Sequence, residues 1–257
     1  MKITFLGTGH GRAEPDRFHA SALVTVGDSH YMIDAGAPVS TLFLKEGGRY
    51  ESLKGVFITH SHIDHCIGLV GMVNQIKTKY PDANVPVYVP DRVFCDPLMT
   101  FLSEVKKKPN ALDTAKPISA KKKGQVEFIV YPDGEIFNDG TARIISVPVN
   151  HYPNSHAFIF EAEGKRICFT GDMKRDLSDY PKQLFEEDFD LVVCEAAHNR
   201  LDDPNTQAII AQSRTKRFFI NHINEARNTP EMVDSLRKAV AEQFPVTVTY
   251  DGMSVEI

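Results

Sequence analysis

Apolar positions along the chain fall into short runs broken by glycine, proline and charged residues. Runs at 3–6, 22–26, 31–33 and 56–58 have the length of strands, and Gly27-Asp28-Ser29 between the second and third marks a hairpin. Residues 67–76 place Ile67, Val70, Val73 and Ile76 at helical spacing. A strand is predicted at 85–89 and a helix over 91–105. Strands resume at 126–131, 135–138 and 141–149. Residues 156–161 and 166–170 read as a hairpin about Glu163-Gly164. The runs 191–194 and 218–220 are short buried strands with helical stretches between them, and 229–243 is an amphipathic helix. The end predicts a hairpin of 246–250 with 253–257, turning at Asp251-Gly252, a pair that favours type I′. The pattern is α+β or α/β, with sheets inside and helices outside. No repeat or linker is visible, so 1–257 is expected to be a single domain. One segment breaks the pattern: 106–125 carries seven lysines and two prolines with little apolar periodicity, and is expected to be an exposed excursion.

Composition narrows the class. A hydrophobic share of 42% can build a core, which excludes a disordered chain. With no apolar run of about eighteen residues or more, no membrane span is expected, and the first apolar stretch is too short for a signal peptide. The four cysteines, Cys66, Cys95, Cys168 and Cys194, are far apart and form no C-x-x-C pair. That argues against a disulfide framework or a zinc ribbon and fits a reducing, cytoplasmic setting. A formal net charge of -5 argues against a surface built to attract nucleic acid. What stands out is ten histidines.

Three of those ten, with an aspartate, lie together in Thr59-His60-Ser61-His62-Ile63-Asp64-His65, directly after a predicted strand. Alternate side chains of an extended backbone share a face, so His60, His62 and Asp64 can point one way. A turn at Asp64 can bring His65 beside them. Neutral imidazoles and a carboxylate are ligands that zinc, manganese and iron accept. Cys66, next in line, points away from an extended ligand run and is given no chemical role.

H-x-H-x-D-H is the signature of the metallo-β-lactamase superfamily, and the chain resembles that family along nearly its whole length. Phe5-Leu6-Gly7-Thr8-Gly9 looks like the opening strand and turn of its ribonuclease Z and phosphodiesterase branches, and Tyr31-Met32-Ile33-Asp34-Ala35-Gly36 like its first buried strand. His151 after a strand, Asp172 in Phe169-Thr170-Gly171-Asp172 and His222 in Phe219-Ile220-Asn221-His222 match the later ligands. Tyr250-Asp251-Gly252-Met253 looks like the terminal turn of that branch. The resemblance implies an αββα four-layer sandwich with two mixed sheets and two divalent metals, zinc first, with manganese or iron as alternatives. One metal would be held by His60, His62 and His151, the other by Asp64, His65 and His222, with Asp172 bridging. It implies hydrolysis by a hydroxide shared between two ions ~3.5–4 Å apart. Relatives of this branch are often homodimers, which sets that expectation here.

The branch is less uniform in its match. Asp190-Leu191-Val192-Val193-Cys194-Glu195-Ala196-Ala197 resembles the family's strand followed by His-Glu-Ala-Thr-Phe, with Glu195 at the glutamate, Cys194 in place of the histidine and the Thr-Phe absent. The later His-Ser-Thr segment that supplies a catalytic histidine is also absent. His198 is the candidate proton donor, so the expected catalytic groups are Asp64, Glu195 and His198. The stretch from His151 to Asp172 leaves no room for the long arm that clamps tRNA in true ribonuclease Z enzymes. The favoured reading is therefore a phosphodiesterase on a small phosphodiester or cyclic phosphate. An acyl hydrolase (thioesterase or lactonase) and an RNA-processing nuclease are the alternatives, the lysine-rich excursion keeping RNA open. A non-enzymatic metal-binding protein is disfavoured by the complete ligand set. Of the other histidines, His10 and His156 are candidates for the pocket, and His19 and His30 are read as structural or exposed.

Overall fold

The computed structural model describes residues 1–12, 14–104 and 124–257. The expected lysine-rich excursion lies outside them, apart from Gly124 and Gln125, and Gln125 already opens a strand. Two seven-stranded sheets form the middle of the molecule. The first holds β1 (Lys2–Gly7), β2 (Ser21–Val26), β3 (Ser29–Ile33), β4 (Leu53–Phe57), β5 (Asn84–Val89), β6 (Gln125–Val130) and the last strand, β14 (Ser254–Glu256). The second holds β7 (Gly134–Asn138), β8 (Ala142–Val149), β9 (Ser155–Ala162), β10 (Lys165–Phe169), β11 (Leu191–Ala196), β12 (Phe218–Ile223) and β13 (Val246–Val248).

The period of two along each strand explains the layering. Tyr31 and Ile33 face the second sheet, while Met32 between them faces outward. Phe158 and Phe160 face the first sheet, while Ile159 faces outward. Both faces are buried, so the strands are apolar almost throughout. Between the sheets lies a layer of aromatic rings, with Tyr31 edge-on to Phe160 at 5.4 Å and Phe57 to Phe158 at 6.5 Å. Outside the first sheet pack α1 (Val39–Lys45), α3 (Leu69–Lys79) and α4 (Cys95–Glu104), after the single turn α2 (Ile63–Cys66). Outside the second pack α5 (Gln183–Glu186), α6 (Pro204–Ile210) and α7 (Pro230–Ala239). This is the expected αββα sandwich.

Helix α4 begins at Cys95, later than the predicted 91, and α7 ends at Ala239, short of 243. The predicted terminal hairpin does not form. β13 pairs in parallel with β12 in one sheet, and β14 pairs antiparallel with β1 in the other. The turn between them is real, with the Met253 N–H donating to the Tyr250 carbonyl. Only Gly252, not Asp251, has a positive φ, so the turn lacks the type I′ twist that would keep two strands paired. Asp251 is instead held by the Thr8 amide, the Thr8 hydroxyl and the Phe18 amide, which ties this turn to the N-terminal glycine turn.

Strands β3, β4, β10, β11 and β12 run in parallel pairs, and the loops at their carboxyl ends gather at one edge, where open sheets of this kind place their ligand sites. Gly171 sits in one of those loops at φ +57, and a Cβ there would lie 2.6 Å from the His156 carbonyl. Gly171→Ala is expected to cost at least ~2 kcal/mol, seen as a fall in melting temperature of about 4–8 °C. Gly252→Ala, with φ +81 but open space around it, should cost clearly less. Equal losses would show that the close approach at Gly171 is not what demands glycine.

Candidate metal centre

His60 and His62 leave the end of β4, and Asp64 and His65 follow on α2. His151 follows β8, Asp172 follows β10, and His222 is the fifth residue of β12. The end of β4 thus delivers four groups, and β8, β10 and β12 one each, to the same edge. His222 reaches it through a bulge: Glu195 pairs with Asn221 and Ala196 with Ile223, leaving His222 as the extra residue, at φ +46. Such a conformation is strained for histidine and is held by the pairing on either side.

The seven expected ligands converge in two groups. His60, His62, His151 and Asp172 form one, and Asp64, His65 and His222 the other, each with ligand atoms within 4.8 Å of one another. His60 Nε2 lies 2.9 Å from His62 Nδ1, and His62 Nδ1 lies 3.2 Å from His151 Nε2. In the second group His65 Nε2 is 3.1 Å from His222 Nε2, which is 3.0 Å from Asp64 Oδ2. Asp172 stands between them. Its Oδ2 is 3.7 Å from both His60 and His151, and its Oδ1 is 3.4 Å from His65 and 3.5 Å from His222.

These groups fit divalent cations. Ligand atoms arranged tetrahedrally at about 2.0–2.1 Å from one centre are about 3.3 Å apart, the spacing seen within each group. Asp172 is 2% exposed, yet its Oδ1 has no hydrogen-bond partner, and neither does His222 Nδ1. A buried carboxylate without a donor is costly unless a cation meets it.

Electrostatics divide the histidines. Burial, reinforced by neighbouring His65, pushes the His60 pKa well below the ordinary value, and burial lowers those of His62 and His151. These three are neutral and carry lone pairs, as ligands must. Burial opposes a charge on His65 as well, but Asp172, Asp34 and Asp64 outweigh it and hold its pKa well above the usual range. Burial likewise opposes ionisation of Asp64 and Asp172, and the surrounding histidines reverse this and hold both carboxyls low.

Asp34 was quoted in the sequence only as part of a strand-end pattern, and the structure gives it a task. It ends β3 with φ +59, is buried, and accepts from His65 Nδ1 at 2.8 Å and from the Thr59 amide at 2.8 Å. This fixes the ring so that Nε2 faces Asp172 and His222. Ser61 donates to Asp91 and the Tyr131 hydroxyl to the Ile58 carbonyl, which hold the rest of the loop.

Glu195 and His198 lie beside the centre. Glu195 accepts from the amides of Met173, Ala197 and His198, tying the Asp172 loop to the segment after β11. His198 Nδ1 is 3.3 Å from Glu195 Oε1 and 3.7 Å from Asp172 Oδ2. Burial opposes its protonation, but Glu195 and then Asp172 raise its pKa above the ordinary imidazole value. Asp172, His198 and His222 also form a group within 4.8 Å. Cys66 donates to the His62 carbonyl, and burial pushes its thiol pKa up, away from the thiolate form. His10 lines the cleft of about 330 Å³ above the centre and bonds Glu14. His156 does not: it bonds Asp133 and borders a separate cavity beyond His151. His30 bonds Thr25, a structural role, and His19 is half-buried beneath the glycine turn.

A four-layer αββα sandwich with H-x-H-x-D-H at a strand end defines a metallo-β-lactamase-fold protein. Residues 1–224 match the family model described as "Anti-Pycsar protein Apyc1", and the chain belongs to that family. A ribonuclease Z of Bradyrhizobium diazoefficiens is 25% identical over 165 residues, covering 64% of this chain and 51% of that protein. One of Synechococcus sp. (strain CC9311) is 26% identical over 187 residues, covering 72% and 56%. The chain thus spans about half the length of these relatives. The fold is shared with YhfI of Bacillus subtilis at a TM-score of 0.72 and 18% identity, over 100% of this chain and 99% of that one. It is also shared with a diphosphatase of the PhnP family at a TM-score of 0.66 and 18% identity, over 100% and 97%.

Replacing Asp34 by Ala leaves His65 unanchored and should weaken metal binding by about 10–100-fold, measured by competition with a chromogenic chelator. Unchanged affinity would mean that other contacts set the ring.

Proposed function

We propose that this protein is a metal-dependent hydrolase using two divalent ions, zinc first among zinc, manganese and iron, and that it cleaves small phosphodiesters such as cyclic phosphates. The reading rests on Asp172, whose two oxygens face two different histidine groups. His60, His62 and His151 would hold one ion, Asp64, His65 and His222 the other, with Asp172 shared. Such ions supply a water of lowered pKa and positive charge against which negative charge can build. The chain supplies the rest. Asp64, bonded to His222 and facing the cleft, is placed to accept a proton from the attacking water. His198, held by Glu195, is placed to give one to the leaving oxygen.

The compact link between His151 and Asp172 supports a small substrate. β9 and β10 are joined by the two residues Glu163 and Gly164, so no arm projects there. The relatives named ribonuclease Z support a second reading, cleavage of RNA, and an acyl hydrolase of the same fold is the third. No helix among the described residues is long and apolar enough to cross a membrane. Four buried, free cysteines support a reducing, cytoplasmic setting, and a homodimer and a single domain over 1–257 are carried forward from the resemblance and the sequence.

A hydrolysis screen of the metal-loaded protein tests the reading. It would compare bis-p-nitrophenyl phosphate, cyclic nucleotides, a structured RNA, a thioester and a lactone. Phosphodiester turnover without acyl turnover is expected, and acyl turnover alone would overturn it. Asp172→Ala should lose bound metal and turnover together, so an active variant would refute the shared-carboxylate scheme. His198→Ala should keep its metal content while kcat falls by about 10²–10⁴. Loss of one equivalent of metal would make His198 a ligand instead.

A further inference from the structure

The chain has twelve arginines, all among the described residues. Eight pair with a carboxylate within 4.0 Å. Among the described residues four do not: Arg12, Arg175, Arg217 and Arg227. Three of these four line the cleft above Asp172, and only Arg217 lies elsewhere, donating to the Glu256 carbonyl. In a chain of net charge -5, three guanidinium groups without a carboxylate partner are thus gathered at one opening, above the Asp64 and Asp172 carboxylates that line the same cleft.

Arg175 and Arg227 also border a second cavity of about 680 Å³, which shares them with the metal cleft along with His198 and Asn224. Arg227 is half-buried and donates Nη1–H to the His198 carbonyl at 2.7 Å, which fixes it beside the proposed proton donor. Arg175 is exposed, three residues beyond Asp172. The cavity holds two carboxylates, and neither is within 4.0 Å of these arginines. Asp203 accepts from the Asn205 and Thr206 amides, and Asp176 from the Ser178 amide. Met232 and Asn205 on its far wall offer apolar contact and hydrogen bonds, the mixture that suits an organic group, and the volume is that of a ligand pocket.

We propose that Arg175 and Arg227 form an anion clamp between the metal cleft and this cavity. They hold the charged oxygens of a phosphodiester while one of its ester groups occupies the cavity. The planar, forked donors of arginine match phosphate oxygens, and a neutral lactone or thioester offers them nothing. The clamp therefore makes the site selective for anionic esters over acyl esters. It rests on the phosphodiesterase reading above.

The test uses metal-loaded wild type, Arg175→Ala, Arg227→Lys and Arg217→Ala, with bis-p-nitrophenyl phosphate as substrate and inorganic phosphate as a calorimetric ligand. Loss of a hydrogen bond to a charged group should raise KM about 10-fold or more in Arg175→Ala, with a smaller change in kcat. Arg227→Lys should also raise KM, because one ammonium cannot replace the fork. Arg217→Ala removes the same charge away from the cleft and should leave KM unchanged. Phosphate affinity should fall in parallel with KM and lose part of its salt dependence in Arg175→Ala. Metal content, measured by elemental analysis, should be equal in all four. An unmoved KM and phosphate affinity in Arg175→Ala, or an equal shift in Arg217→Ala, would overturn the clamp. Absence of phosphodiester turnover in wild type would instead overturn the functional reading, and the phosphate titration would still judge the clamp.

Discussion

One buried carboxylate organises the strand-end edge of this molecule. Asp172 is almost fully enclosed, keeps one oxygen without a donor, and has histidines of two separate groups on its two oxygens. Placing an ionised carboxylate there without a cation would cost several kcal/mol, so the histidines and the ions they suit are the condition for its burial. Geometry is held at the expense of backbone strain. Asp34 and His222 adopt positive φ, Asp34 orienting His65 and His222 standing out from a bulge, while Gly171 takes a positive φ that costs glycine little and carries the chain into Asp172. Strain of this kind persists only where the surroundings over-determine it. Here the surroundings are two sheets locked by the aromatic layer between them.

Much of this was legible because it depends on neighbours in sequence. Period-two burial of both strand faces follows directly from runs such as Tyr31-Met32-Ile33, and the ligand loop is six residues long. What was not legible depends on pairing across the chain. A turn at Asp251-Gly252 looks the same whether its flanks pair with each other or with two different sheets. The outcome was decided by β1 and β12, more than twenty residues away in sequence, and by the grip of Thr8 and Phe18 on Asp251. Asp34 likewise reads as a strand-end residue until His65 is seen beside it. No sequence pattern distinguishes Arg175 or Arg227 from the eight paired arginines, because lacking a partner is a property of space.

Departures from the ribonuclease Z pattern fit together physically. Cys194 stands where that pattern has a histidine, and its thiol is buried on the outer side of β11 among apolar residues, with its pKa raised by burial. It cannot serve the centre from there. Glu195, the next residue, faces the other way and stitches the Asp172 loop to the segment carrying His198. On the proposed reading, His198, three residues beyond the glutamate, would take the part of the histidine missing from a later segment, with Glu195 positioning it.

The site is layered by charge. At its base Asp172, Asp34 and Asp64 outweigh burial and raise the His65 pKa, so the floor favours positive charge. At its rim Arg12, Arg175 and Arg227 have no carboxylate within 4.0 Å among the described residues, so the mouth favours negative charge. On the phosphodiesterase reading, an anionic ester would meet the rim arginines, a neutral ester would gain nothing from them, and the oxygens of the anionic ester would be met from both sides as negative charge grows in the transition state.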